Sequence, residues 1–178
     1  MNLLIRASRL IAGAETLAVQ LLVASIALLM LTNVLFRWLF VSLYWADELA
    51  INLMVVFAFV GASLMFAERR NFSVTLLRDA LGPRGRRTLG MVIDALTLIF
   101  ALVVAYACWL WFDPLTLARA NFDLQAFFAE TFNSIYRDRT DTIGVRRVWF
   151  FLVIPIFAVT LTVHSLAGLC LHIRNREG

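Results

Sequence analysis

The sequence has little of what soluble or disulfide-stabilised proteins rely on. Charged residues make up 16% of its 178 residues, against about 25% in ordinary soluble domains. Its 2 Cys are too few to staple a small secreted fold. No Lys occurs, so all 16 basic residues are Arg. Hydrophobic residues reach 62%, which excludes a disordered chain and argues against an ordinary soluble globule.

What the sequence does have is long apolar runs. Four of them can cross a bilayer, which needs about 20 residues. They are continuous rather than alternating, so they predict helices and not barrel strands. The net charge of +4 does not indicate a nucleic-acid partner, because the Arg residues are segregated between these runs. The predicted fold class is therefore all-α, an integral membrane four-helix protein that forms a single membrane domain over 1–178.

The predicted spans cover residues 13–36, 47–67, 88–112 and 148–173. A signal peptide is an alternative for the first run, but that run is too long and no cleavage site follows it. If both termini face the cytoplasm, the inner side holds 10 Arg and the outer side holds 6. The inner loop 68–87 carries six of these Arg in a short segment. This distribution predicts an N-in, C-in orientation.

The inner segments have apolar residues at helical spacing. Residues 2–12 place apolar and Arg positions on different faces, which predicts a short helix lying in the inner interface. A second short helix is predicted after Ser73, ended by Gly82-Pro83.

The outer loop 113–147 is too long to be structureless. Asp113 followed by Pro114 is a typical helix start, with an N-cap residue and a proline at the first helical position. We predict one amphipathic helix from about Pro114 to Tyr136 on the outer surface. This helix either lies in the lipid interface or forms part of a docking platform. The candidate docking residues are Phe122, Leu124, Phe128 and Phe132.

Nothing in the sequence indicates catalysis. Asp94 is an acid inside a predicted span, which makes it a candidate for function, although pairing with Arg86 or Arg87 would explain it structurally. His164 and His172 are eight residues apart on one helix, about 12 Å of rise, so they cannot ligate one haem iron from both sides. We expect no cofactor and no metal. The two cysteines lie near opposite ends of their helices and are not expected to pair.

One stretch carries a family pattern. Arg37 follows the first run, the second opens with Trp45-Ala46-Asp47-Glu48-Leu49 and contains Gly61-Ala62, and Glu68-Arg69-Arg70-Asn71-Phe72-Ser73-Val74 follows. This pattern resembles the small membrane subunit, the DctQ type, of tripartite ATP-independent periplasmic (TRAP) transporters. The motifs cover about 37–77, and the rest of the chain is similar in topology alone.

The resemblance implies a scaffold rather than an enzyme, in the bacterial inner membrane. Such a subunit pairs with a large permease subunit, which carries the substrate and sodium sites. A periplasmic substrate-binding protein delivers the solute, typically a carboxylate, through transient contacts. Membrane lipid is a further expected partner, and no substrate-binding residue is expected in this chain.

Charged residues near the helix ends are the candidate partner contacts. Asp47 and Glu48 suit the positive end of a helix dipole and can pair with Arg37, or they contact a partner. Arg69 and Arg70 set topology or bind anionic lipid. The full candidate set is Arg37, Trp45, Asp47, Glu48, Arg69, Arg70, Asn71 and Asp94.

Three other functions fit the composition. They are a membrane anchor of another complex, such as a haem-bearing redox subunit, an independent small transporter, and a purely structural four-span protein. A Soret band would identify the first, and uptake by the chain alone would identify the second. A neighbouring gene for a large permease would count against the third.

Overall fold

The computed structural model describes residues 2–68 and 81–174, and these residues form seven helices and no strand. The helices are α1 (Asn2–Trp38), α2 (Tyr44–Ala67), α3 (Pro83–Phe112), α4 (Pro114–Arg119), α5 (Leu124–Thr131), α6 (Val148–Phe151) and α7 (Val153–Arg174). Four helical segments are long and apolar enough to cross a membrane, with α6 and α7 together as the fourth. The predicted all-α fold is confirmed. The predicted inner-loop helix after Ser73, with Arg69, Arg70 and Asn71, lies outside the described residues.

The first helix differs from the prediction. It is a single helix of 37 residues, about 55 Å long at 1.5 Å per residue. A bilayer core is about 30 Å thick, so α1 is longer than one span requires. The structure does not show a separate surface helix over 2–12. Those residues are the first turns of α1, where Ser8 hydrogen-bonds to His164 of α7 and Ile5 is buried.

Backbone chemistry, rather than hydropathy, sets where the other long helices begin and break. Pro83 is at the start of α3, five residues before the apolar boundary, because a proline ring suits the first helical turn. The fourth span is interrupted at Leu152. Pro155 has no N–H to donate to the carbonyl of Phe151, so the helical bonding is broken there.

Small side chains let the helices approach one another. Ala46 and Ala50 of α2, Ala101 of α3 and Ala158 of α7 are fully buried. α3 packs mainly on α7, and α1 packs mainly on α2. Two apolar clusters result: one contains Cys108, Phe112, Ile135 and Val148, and the other contains Ala101, Phe157 and Leu161. Both cysteines are free, as predicted.

Candidate functional site

The candidate functional sites of this molecule are polar contacts between its helices and loops. Near the end of α1 and the start of α2, Asp47 accepts a hydrogen bond from Asn33 Nδ2 at 2.5 Å. Arg37, one turn further along α1, places a guanidinium nitrogen 3.9 Å from the second oxygen of Asp47. The predicted Arg37–Asp47 pair is therefore present, and the buried Asn33 is a partner that the sequence did not indicate.

Glu48 contacts a different part of the chain. Its carboxylate accepts hydrogen bonds from the backbone N–H groups of Asp141, Thr142 and Ile143 at 2.6, 2.7 and 3.2 Å. The Thr142 hydroxyl donates a fourth at 2.5 Å. Consecutive N–H groups of a turn form a concave site for an anion, so Glu48 fastens the outer loop to the start of α2. Sequence reasoning missed this contact, because nothing local relates Glu48 to a turn more than ninety residues away.

The turn that Glu48 binds is closed by its own hydrogen bonds. Thr140 N donates to Val145 O at 2.8 Å, and an isolated antiparallel bridge joins Arg139 to Arg146. Gly144 has a φ of +73°, a conformation that favours glycine. The neighbouring candidate Trp45 is exposed at the start of α2 and takes no part in this contact.

The outer loop does not form the single helix predicted from Pro114 to Tyr136. It forms α4 and α5, because Asn121 and Phe122 adopt positive φ and end the first helix. The Asp123 side chain then caps α5 by accepting from the N–H groups of Gln125 and Ala126. The predicted start is confirmed, since the Asp113 side chain accepts from Thr116 N at 3.2 Å.

The docking candidates separate into exposed and packed residues. Phe122 and Phe132 are 72% and 83% exposed, whereas Leu124 and Phe128 are half-buried. Phe127, which the spacing did not single out, is the buried residue of α5, and its ring lies 5.3 Å from that of Tyr136.

Tyr136 joins this outer segment to the end of α3. Its hydroxyl donates to the Phe112 carbonyl at 2.6 Å, one of the carbonyls that a helix end leaves unpaired. Burial, with the charge of Asp113, raises the pKa of Tyr136 above its ordinary value. The hydroxyl therefore stays protonated, and able to donate, to a higher pH than a solvated tyrosine.

A buried polar group lies between α1 and α7. His164 Nε2 is 3.1 Å from the Oε2 atom of Glu15, and its Nδ1 is 2.8 Å from the Ser8 hydroxyl. Both nitrogens are satisfied when Ser8 donates to Nδ1 and the Nε2–H donates to Glu15. His164 is thus a polar residue packed between two helices. Glu15 was missed, although an acid inside the span 13–36 should have indicated a partner.

A second polar contact joins α3 to α7 near the end of α7. His172 Nε2 lies 3.4 Å from the Oδ2 atom of Asp94, and Arg87 donates to the His172 carbonyl at 2.6 Å. Gly90 lies under the imidazole, since an added Cβ would be 2.6 Å from two ring atoms. Asp94 thus has a histidine contact that the sequence did not predict, and Arg87 reaches the same residue of α7.

Comparison with known proteins identifies the family. The model of the family described as "Tripartite ATP-independent periplasmic transporters, DctQ component" matches residues 26–175, most of the chain. The chain belongs to the DctQ family. A Haemophilus influenzae protein named "Putative TRAP transporter small permease protein" is 32% identical over 100 residues, which is 56% of this chain and 62% of that protein. The matched region thus spans less than two thirds of that relative's length.

A DctQ component is a membrane protein, and the four apolar helices fit a multi-pass protein of the inner membrane. The Asn33–Asp47 contact, the turn bound by Glu48 and the Asp94–His172 pair all lie within the matched residues. Ser8 and Glu15 lie before residue 26, whereas their partner His164 lies inside. The polar group between α1 and α7 is therefore only partly inside the matched residues.

Proposed function

We propose that this chain is the small scaffold subunit of a TRAP transporter and pairs with a large permease subunit. The observation that carries the proposal is that polar side chains of the spans contact one another between helices. Glu15 contacts His164, Asp94 contacts His172, and Ser63 contacts Thr160 at 2.8 Å. These groups hold helices together instead of following one another along a polar pathway for a solute.

Exposed apolar surface supports the pairing. In the most apolar 18-residue stretch of each span, 6% of the residues in α1 and 11% in α2 are buried within the chain. The corresponding share in the fourth span is 39%. Nothing within the described residues lies within 4 Å of a Cβ built on Gly61 of α2. Small residues on an open helix face allow another helix to approach closely in a membrane.

The transport function that we propose is sodium-coupled uptake of a carboxylate-type solute, delivered by a periplasmic substrate-binding protein. Family membership supports this proposal, with the substrate and sodium sites in the large subunit. In the N-in, C-in orientation, the turn bound by Glu48 and the helices α4 and α5 face the periplasm. The exposed rings of Phe122 and Phe132 are then available to the binding protein.

Affinity purification from native membranes tests the pairing. The tagged full chain should recover a large multi-span permease in a fixed ratio, identified by mass spectrometry. Proteoliposomes with both subunits should take up solute only with a sodium gradient and the binding protein. Recovery of the chain alone or with redox subunits, a Soret band, or uptake by the chain alone would each contradict the proposal.

A further inference from the structure

A crevice opens between α1, α2 and α7. It has a volume of about 270 Å³ and is walled mainly by apolar side chains, including Ala14 and Ala18 of α1, Phe59 of α2 and Phe157 of α7. Pockets for drug-sized ligands have volumes of about 300–1,000 Å³. The crevice is therefore small for a transported solute, and its size suits one long side chain.

Glu15 is the acid in the wall of this crevice. Its Oε2 atom is held by His164, but its Oε1 atom has no hydrogen-bond partner among the described residues. The Oε1 atom is not enclosed by the protein. Because Glu15 lines the crevice, we take Oε1 to be open to it. An ionised carboxylate within a membrane span is costly unless it is paired.

The other polar groups of the crevice are already used. The hydroxyls of Ser63 and Thr160 bond to each other at 2.8 Å, and Thr160 also reaches the carbonyl of Phe157 at 3.2 Å. His164, which is itself hydrogen-bonded to Ser8, holds the Glu15 side chain through Oε2. The crevice thus presents one hydrogen-bond acceptor of negative charge, held in place, among apolar walls.

We propose that the crevice receives an Arg or Lys side chain from a membrane-spanning helix of the large permease subunit, and that this side chain pairs with Glu15. The inference rests on the proposed function. A basic side chain has an apolar stem for the walls and a charged end for the carboxylate. A lipid acyl chain would fill the space between the apolar walls but would leave the Oε1 atom of Glu15 unpaired.

Site-specific photocross-linking tests the occupant. A p-benzoylphenylalanine at position 14 replaces an exposed residue that lines the crevice, in the full chain and in membranes that contain the permease. The expected cross-linked peptide comes from a spanning segment of the permease and contains Arg or Lys. Cross-links to lipid alone, or to a segment without a basic residue, would overturn the proposal. The same probe at Ala107, exposed on α3, should give a different pattern.

Two variants test the pairing by co-purification. Glu15→Gln removes the charge but keeps the shape, and we expect about three- to tenfold less permease, the range of one interhelical polar contact in a membrane. Ala14→Trp fills the mouth of the crevice, leaves Glu15 and His164 unchanged, and should have the same effect. Ala107→Trp is the matched control, and monodisperse elution of each chain shows that it folds.

The outcomes separate this inference from the proposed function. If the wild-type chain recovers no permease, both are wrong. If the wild-type chain and both crevice variants recover it equally, the pairing at Glu15 is wrong and the scaffold function stands. Loss in both variants, with recovery by Ala107→Trp, supports both.

Discussion

Single polar residues have a large part in holding α1 to the rest of the molecule. Among its described residues, Ile5, Glu15 and Asn33 are the buried ones, and two of these three are polar. In a membrane, apolar surface gives little preference for a helix over lipid, so directional contacts decide where a helix packs. Glu15 with His164 and Asn33 with Asp47 are such contacts, one toward each end of α1.

The close approach of α3 to His172 of α7 depends on the missing Cβ of Gly90. Gly90→Ala would place that atom 2.6 Å from the ring of His172, so the ring must shift, which disturbs its 3.4 Å contact with Asp94. We expect the thermal unfolding midpoint of the purified chain to fall below that of Gly61→Ala, because overpacking costs about 1–3 kcal/mol, against a gain of about 1 kcal/mol from alanine in a helix. Tryptophan fluorescence during heating in detergent measures this change.

Gly61→Ala is the control, because it lies on α2 where an added Cβ meets nothing within 4 Å. Alanine is favoured over glycine in a helix by about 1 kcal/mol, so this variant should be as stable as the wild type or more so. Equal destabilisation by both substitutions would show that the close approach to His172 has no special cost.

At the scale of elements, hydropathy predicts the spans but not their ends or the outer loop. Long apolar runs locate the four spans because membrane thickness fixes their length. The break between α4 and α5 depends on positive φ at Asn121 and Phe122. Neither residue is a glycine, so the sequence does not mark the break. Contacts such as Glu48 with Thr142 depend on tertiary packing, so a single sequence gives no sign of them.

The link between the outer turn and α2 should fail when Glu48 loses its charge. Glu48→Gln replaces one acceptor oxygen with an NH₂ group, which faces N–H donors and cannot accept from them. We expect faster amide hydrogen exchange at Asp141, Thr142 and Ile143, measured by mass spectrometry, with the spanning helices unaffected. Glu130→Gln, at an exposed residue of α5, is the control and should leave that exchange unchanged. Unchanged exchange in Glu48→Gln as well would refute the link.

Across the whole molecule, polar contacts lie toward both ends of the bundle and apolar packing lies between them. Asn33, Asp47 and Glu48 connect elements at one end. Glu15, His164, Asp94 and His172 connect helices nearer the other. The sequence predicted the charged ends and the Arg37–Asp47 pair, but not which histidine meets which acid, because those partners come from different helices. The contacts at both ends leave the apolar faces of α1 and α2 open, as the proposed scaffold function requires.

Because those faces are open, we expect that binding of the large permease subunit stabilises the chain by mass action. A ligand that binds only the folded state adds about 2.7 kcal/mol at a hundredfold excess over its Kd. For a chain of this size, that corresponds to a rise of about 5–10 °C in Tm. Heating the purified chain in detergent with increasing large subunit should show this rise. Ala14→Trp should need more permease to reach the same Tm, and Ala107→Trp should not. A Tm independent of permease concentration would mean that the chain is stable without this partner and that its apolar faces meet only lipid.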